Sequence, residues 1–123
     1  IHGYGGGQFR IAGQTYDGAQ FVLPRLTLGW QVISLEDITV EVITDRLATG
    51  KNSGILEGQD SQMTELVILG VGARADSHLP QLARALKEKS IRLEVMTTAA
   101  ACRTWNVLLT EGRSAAVGLL PVD

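Results

Sequence analysis

The sequence predicts an α/β fold in a single domain, with a mixed, largely parallel sheet flanked by helices and an N-terminal antiparallel β-meander. Its 123 residues suffice for one domain with its own hydrophobic core. From residue 64 onwards, strand patterns alternate with helix patterns over short connections, which is typical of right-handed crossovers between parallel strands. Before residue 25, short alternating segments are separated by glycine-containing turns, which is typical of antiparallel strands.

The front third of the chain carries the predicted meander. The stretch His2 to Gly7 is rich in glycine and is expected to be loose at its start. Gln8–Ile11 alternates polar and apolar residues, Thr15–Tyr16 forms the return strand, and Ala19–Leu23 continues the meander. A further extended segment is predicted over Leu26–Val32.

The middle of the chain is less regular. Ile38–Leu47 has apolar residues at helical spacing, although its β-branched residues also suit a strand. We predict a helix, with Asp37 or Thr39 near its N-cap. Thr49–Gln62 is polar, holds three glycines and has no periodicity, so a surface loop is predicted there.

The second half predicts a strand–helix–strand–helix–strand unit. Thr64–Leu69 is a continuous apolar strand, of the kind that is buried on both faces. An amphipathic helix follows, ending near residue 89, with apolar positions at Leu79, Leu82, Ala83 and Leu86. Next come a strand over Ile91–Val95, a helix over Thr98–Thr110 and a strand over Ser114–Leu120. The small residues of the last strand predict a place in the middle of the sheet.

The helix over Thr98–Thr110 has clear boundary signals. Thr97 and Thr98 are candidate N-caps, and Gly112 occupies the position of a C-cap glycine. At 100° per residue its apolar side chains form one stripe, made of Ala101, Cys102, Trp105, Leu108 and Leu109.

Composition excludes several classes of function. A formal net charge of −2 leaves no electrostatic footprint for nucleic acid or acidic membranes. The single cysteine excludes a disulfide within the chain. The longest apolar runs are far shorter than a membrane span.

A dinucleotide-binding fingerprint is only partly matched. Gly70–Ala75 fits G-x-G-x-x-A after a strand, and Glu94 follows at about the expected distance. In the true motif the helix begins within the glycine turn, whereas here the cap is predicted at Asp76 or Ser77. We therefore favour a structural interpretation, in which the glycines permit a tight exit from the strand.

The nucleophiles and metal ligands of the sequence form no catalytic set. Cys102 lies on the apolar stripe, so a buried, unreactive thiol is predicted. His2 and His78 are the two histidines, and neither has a spacing typical of a metal site or a triad. We predict no catalytic residue, no metal and no cofactor.

Polar residues near the predicted strand ends allow two interpretations. Glu94 lies within an apolar strand, where a carboxylate needs a partner, and Arg113 could supply it as a structural ion pair. Alternatively, a small polar pocket for an anion lies there, near the helix N-terminus. The structural interpretation is favoured, and the pocket would be lined by Gly70, Gly72, Glu94, Thr98, Asn106 and Arg113.

Residues Met96–Leu108, followed by Glu111–Arg113, resemble the signature of the third assembly factor of mitochondrial respiratory complex I and its uncharacterised bacterial and archaeal relatives. Further matches are Phe9–Gly13, Gly29–Trp30 and Leu66–Gly72, so the resemblance spans nearly the whole chain.

The resemblance implies an α/β domain that binds complex I subunits or another assembly factor, without catalytic activity or cofactor. It implies membrane association only through those partners, on the matrix side of the inner mitochondrial membrane, or the cytoplasm for a bacterial relative. Two alternatives stay open. One is a small-molecule (anion or nucleotide) binding protein or enzyme that uses the strand-end pocket, and the other is an accessory subunit of a larger mitochondrial complex.

Overall fold

The computed structural model describes residues 1, 3–11, 13–24, 26–30, 32, 37–51, 64–72, 80–112 and 114–121. Its elements in chain order are β1 (Gly3–Gly5), β2 (Gln8–Ile11), β3 (Gln14–Asp17), β4 (Gln20–Leu23), β5 (Leu26–Gly29), α1 (Val40–Lys51), β6 (Leu66–Gly70), α2 (Pro80–Lys87), β7 (Arg92–Met96), α3 (Thr98–Thr110) and β8 (Ala115–Leu119).

These strands form two sheets. The small sheet is the antiparallel meander β1-β2-β3, and the main sheet has the order β5-β4-β8-β6-β7. In the main sheet β4 runs antiparallel to β5 and β8, whereas β6 runs parallel to β7 and β8. The predicted α/β class, with a mixed sheet and an N-terminal antiparallel meander, is confirmed.

The front third differs from the prediction in two respects. Residues 3–5 form a strand that was not predicted, because they pair with β2 with Tyr4 opposite Phe9. The segment predicted to continue the meander, β4, leaves it and joins the main sheet beside β8. All four residues of β4 are buried, and a strand buried on both faces needs neighbours and covering layers that local sequence does not reveal.

Helix α1 confirms the helical interpretation of the ambiguous middle segment. The hydroxyl of Thr39 accepts a hydrogen bond from the backbone N–H of Val42 at 3.2 Å, as an N-cap does. The helix continues through Lys51, so Thr49–Lys51 do not belong to the predicted loop. The Thr49 hydroxyl donates to the carbonyl of Asp45, a bond that a helical threonine can make. The remainder of that predicted loop, residues 52–62, lies outside the described residues.

The main sheet has two covered faces. On the first, which we call the α1/α2 face, these two helices bury a cluster whose largest members include Phe21, Trp30, Ile43, Leu69 and Leu86. On the second, the α3 face, α3 and the small sheet bury a cluster that includes Phe9, Ile68, Trp105, Val117 and Leu119. Side chains of successive strand residues alternate between the two faces, as expected for a sheet that is covered on both sides.

Strand β8 lies in the middle of the sheet, as its small residues predict, and all five of its residues are buried. A Cβ atom at Gly118 would lie 2.4 Å from Cζ3 of Trp30. Glycine is therefore required at this position for the indole ring to lie against the strand.

The predicted boundaries of α3 are confirmed. The Thr97 hydroxyl accepts a hydrogen bond from the N–H of Ala100 at 3.1 Å, and Gly112 has a φ of +69°. One member of the predicted stripe differs, because Leu109 is 43% exposed. The reason is that the end of the helix is uncovered: Thr110 and Glu111 are exposed as well.

Candidate functional site

Three of the predicted pocket residues, Gly70, Gly72 and Thr98, meet where β6 ends and α3 begins. The backbone N–H of Gly72 donates to the Thr98 hydroxyl at 2.9 Å, and that hydroxyl donates to the carbonyl of Leu120 at 2.7 Å. The N–H of Thr98 donates to the carbonyl of Gly72 at 2.8 Å. We call this group of four residues the strand-end tie.

The strand-end tie has no space for a larger side chain at Gly70, and its buried hydroxyl forms hydrogen bonds within the group. The Thr98 side chain is fully buried, and its hydroxyl uses both its donor and an acceptor position within the tie. A Cβ atom at Gly70 would lie 2.9 Å from Cβ of Ala101 and 3.0 Å from Cα of Thr98. These contacts bind the first turn of α3 to the ends of β6 and β8.

Glu94 lies on β7, on the α3 face of the main sheet. Its carboxylate forms an ion pair with the guanidinium of Arg92, with 2.7 Å between Oε1 and Nη2. Both side chains reach solvent, since the side chain of Glu94 is 36% exposed and that of Arg92 is 76% exposed. Arg113, the partner expected from the sequence, lies outside the described residues. The negative charge of Glu94 is therefore compensated along its own strand.

Asn106 is placed away from the strand-end tie and from Glu94. It is exposed, its side-chain amide donates to the carbonyl of Ile1 at 3.0 Å, and its oxygen accepts from the nitrogen of Ile1 at 2.7 Å. The flank of α3 that faces β7 is instead the one carrying Thr104, whose hydroxyl lies 3.6 Å from the sulfur of Met96. Thr104 and Asn106 are two residues apart in the helix and therefore point about 160° away from each other around its axis. Asn106 is thus directed away from β7 and from Glu94.

Cys102 is buried on the α3 face, as predicted, and is 3% exposed. Burial raises the pKa of its thiol to about 11, although the positive charges of the N-terminus and Arg103 oppose the shift. A thiol with such a pKa is almost entirely protonated at neutral pH, so it is a poor nucleophile.

Other chemistry was sought over the same part of the chain. No group of three or more histidine, cysteine or acidic side chains in the described residues could hold a metal ion. Among the described helices, none combines the length and apolar character needed to cross a membrane.

An open cavity of about 820 Å³ lies between α1 and the end of β5. Its lining carries both signs of charge and consists of Asp17, Gly29, Trp30, Glu41, Val42, Asp45 and Arg46. Arg46 donates to the carbonyl of Gly29 at 3.4 Å and to the carboxylate of Asp45 at 3.0 Å. The indole N–H of Trp30 is buried and has no acceptor in the described structure. Sequence reasoning missed this cavity, because its wall combines α1 with residues that precede the helix by ten positions or more.

The outward side of α3 is a further surface, on which Arg103 and Val107 are exposed and Ala100 and Thr104 are half-buried. Ala100, Arg103, Thr104 and Val107 recur at i, i+3, i+4 and i+7 and share one side of the helix. Val107 is 58% exposed in the last turn of α3, and the opposite side of the helix is buried. We call these four residues the outer stripe of α3.

Comparison with known proteins gives one family match and several named relatives. The model of a family described as "Protein of unknown function (DUF498/DUF598)" matches residues 1–120. A Danio rerio protein named NADH dehydrogenase (ubiquinone) 1 alpha subcomplex assembly factor 3 is 36% identical over 121 residues, 98% of this chain and 63% of that protein. The human protein of the same name is 31% identical over 98% of this chain and 60% of its own length. The chain thus spans less than two thirds of these relatives.

Bacterial proteins are similar over a larger share of their length. An uncharacterised protein of Rhodobacter capsulatus is 35% identical over 99% of this chain and 84% of its own length. A crystal structure from Bordetella parapertussis superposes with a TM-score of 0.77 at 29% identity, covering 98% of this chain and 93% of that one. A solution structure from Bordetella pertussis, described as a Mth938-like domain, gives 0.77 at 26% identity, over 98% of this chain and 84% of that one.

Proposed function

Because the chain belongs to the DUF498/DUF598 family, we propose that it is a non-enzymatic assembly protein that binds subunits or assembly factors of respiratory complex I. The observation that carries the proposal is the similarity to relatives named as assembly factors of NADH dehydrogenase, which extends over 98% of this chain. The proposed location is the matrix side of the inner mitochondrial membrane, or the cytoplasm if the source is bacterial, with membrane contact only through partners.

The state of the predicted pocket residues supports a binding role over catalysis. The buried polar groups of the strand-end tie bond one another, Glu94 is paired with Arg92, and the thiol of Cys102 has a raised pKa. A thiol whose pKa is raised by burial is not activated for covalent catalysis.

The outer stripe of α3 is the proposed contact surface. Arg103 supplies a positive charge, Val107 supplies exposed apolar area, and Ala100 is small enough for close approach. The opposite side of the same helix is held by Trp105 and the strand-end tie, so the stripe is presented on a rigid element.

The test is affinity purification of the tagged protein from its source organism under gentle lysis. We expect complex I subunits or assembly intermediates to co-purify, and Val107→Asp combined with Arg103→Glu to reduce their recovery. Arg84→Glu is the matched control, because Arg84 is exposed on α2, which covers the other face of the sheet. Recovery of the wild-type protein without any of these partners would refute the proposal.

A second candidate function is the binding of a small anion or nucleotide. The strand-end pocket stays a prediction, and the mixed-charge cavity beside α1 is the observation that favours a ligand site. A thermal-shift panel of phosphates, nucleotides and dicarboxylates tests this function, because a ligand at 100 times its Kd adds about 2.7 kcal/mol of stability. Loss of a shift in Arg46→Ala would assign it to the cavity, whereas no shift with any compound rejects this candidate.

A further inference from the structure

Strand β7 forms one edge of the main sheet. The strand order ends at β7, and among the described strands only β6 pairs with it. An edge strand exposes a row of backbone N–H and C=O groups that another strand can pair with. The identity of the pairing strand depends on which groups face outward and on the side chains beside them.

The backbone hydrogen bonds show which groups of β7 face the open side. The N–H of Arg92 donates to the carbonyl of Glu65 at 2.8 Å, and the carbonyl of Met96 accepts from the N–H of Val71 at 3.0 Å. Alternate residues of a strand direct their backbone groups to opposite sides. Leu93 and Val95 therefore direct their N–H and C=O groups away from β6, towards the open edge.

The side chains of β7 are divided by charge between the two faces. Arg92 and Glu94 lie on the α3 face, where they form the 2.7 Å ion pair. Leu93 and Val95 lie on the other face, half-buried against the cluster under α1 and α2. One side of this strand is thus apolar, and the other carries one charge of each sign two residues apart.

We propose that two copies of the chain associate by antiparallel pairing of their β7 strands, with Leu93 of one copy opposite Leu93 of the other. This register places Arg92 of each copy opposite Glu94 of the second copy, so the α3 faces carry a closed set of alternating charges. The outward groups of the two Leu93 residues bond each other, and the N–H of Val95 donates to the carbonyl of Ile91 in the second copy. The two main sheets become one continuous sheet.

Charge selects this register over its neighbours. Pairing centred on Glu94 would place Glu94 opposite Glu94, and pairing centred on Arg92 would place Arg92 opposite Arg92, both of which are destabilising. Charges on an edge strand usually discourage pairing. Here they are arranged so that one symmetric alignment satisfies all of them. The opposite edge, β5, has the uncharged sequence Leu26–Gly29, which specifies no such register.

The experiment is sedimentation equilibrium of the whole chain from about 1 µM to about 1 mM, a range that covers weak association. The wild-type protein is expected to form a dimer that depends on concentration. Arg92→Glu and Glu94→Arg each place like charges opposite each other, so each should raise the dimer Kd by about tenfold or more. Arg10→Glu, an exposed charge reversal on the small sheet, serves as the control and should leave the Kd unchanged.

Mixing the two variants separates this pairing from any other effect of the substitutions. Glu at positions 92 and 94 of one copy faces Arg at positions 94 and 92 of the other, so the mixture should dimerise with nearly the wild-type Kd. The double variant Arg92→Glu plus Glu94→Arg should also recover dimerisation with itself. A wild-type protein that stays monomeric throughout the range overturns the proposal, as does a dimer that neither variant weakens or that mixing fails to restore. These outcomes do not depend on whether complex I proteins bind.

Discussion

The two faces of the main sheet reach close contact by different means. On the α1/α2 face, the indole ring of Trp30 lies directly on β8, because Gly118 has no side chain. On the α3 face, the first turn of α3 lies on β6 over Gly70, and the buried hydroxyl of Thr98 links it to Gly72 and the neighbouring Leu120. The first face is closed by a side chain, and the second is closed by helix backbone and hydrogen bonds.

The difference shows which surface suits a partner. A helix that is attached to the sheet by its backbone has little freedom to shift, so its outer stripe keeps a fixed position for recognition. On the other face, the contacts between layers are made by side chains, and the cavity beside α1 lies along their margin. We therefore expect substitutions on the two faces to lower the free energy of unfolding by different amounts. We also expect different second substitutions to restore it.

The largest expected effect is on the side-chain-closed face. Gly118→Ala places a methyl group 2.4 Å from a rigid ring, so we expect a loss of about 3 kcal/mol in the free energy of unfolding. Urea denaturation measures it. In a Trp30→Leu background the same change should cost under about 1 kcal/mol, since the ring is gone. An equal cost in both backgrounds would show that the contact with Trp30 is not the cause.

The next effect concerns the buried thiol of the α3 face. A pKa of about 11, against the ordinary 9.0, reduces the thiolate fraction at pH 8 by about 100-fold, equivalent to about 2.7 kcal/mol. We expect iodoacetamide to alkylate Cys102 at least that much more slowly in the folded protein than in urea. Rates within tenfold of each other at pH 8 would contradict the burial.

The same pKa fixes the sign of a pH dependence. The folded state holds the proton of Cys102 more tightly than the unfolded chain does. The contribution of this thiol to stability is therefore constant below pH 9 and is lost as the pH rises from 9 to about 11. Comparison with Cys102→Ala over this range isolates the thiol from the other groups that titrate there.

A smaller effect is expected where helix backbone closes the α3 face. Gly70→Ala brings a methyl group to 2.9 Å from Ala101 and 3.0 Å from the backbone of Thr98, which requires α3 to move by a few tenths of an ångström. We expect a loss of about 2 kcal/mol by thermal or urea unfolding. Recovery of complex I partners should fall as well if the outer stripe depends on the position of α3, whereas Gly118→Ala should spare binding wherever the protein remains folded.

The smallest effect is removal of the hydroxyl from the strand-end tie. Thr98→Val keeps the shape of the side chain but leaves the N–H of Gly72 and the carbonyl of Leu120 without their partner, at a cost of about 1.5 kcal/mol. Thr98→Ser keeps the hydroxyl and is the control, with a smaller expected loss. If valine were as stable as threonine, the tie would not contribute to the attachment of α3.

Much of the second half could be read from the sequence because its signals are local. The boundaries of α3 are set by Thr97 and Gly112, and the burial of Cys102 and Trp105 follows from their spacing. The small residues of β8 likewise predicted a central strand. In each case the deciding interaction lies within a few residues of the side chain concerned.

The front third and the candidate site depended on contacts that no local pattern contains. The local sequence of β4 predicts a strand of the meander. In the structure β4 belongs to the main sheet, because it pairs with β8, nearly a hundred residues later in the chain. Gly70, Gly72 and Thr98 lie close together, since strand ends and helix starts meet in α/β folds, and their role as pocket residues stays a prediction. Asn106 bonds Ile1, a contact that the sequence could not show, because helical angles place residues around an axis without showing which neighbour each flank faces.

By itself the sequence determined the α/β class and the apolar side of α3, because periodicity and capping act over one or two turns of chain, and its motif over Met96–Leu108 carried the resemblance to the family. Only the tertiary structure decided that the hydroxyl of Thr98 bonds to backbone groups and that Glu94 pairs with Arg92. It also placed the charges of β7 on the last strand of the main sheet, as far as the described strands show. Those outcomes rest on the order of strands in the sheet, which is set by pairing between residues far apart in the chain.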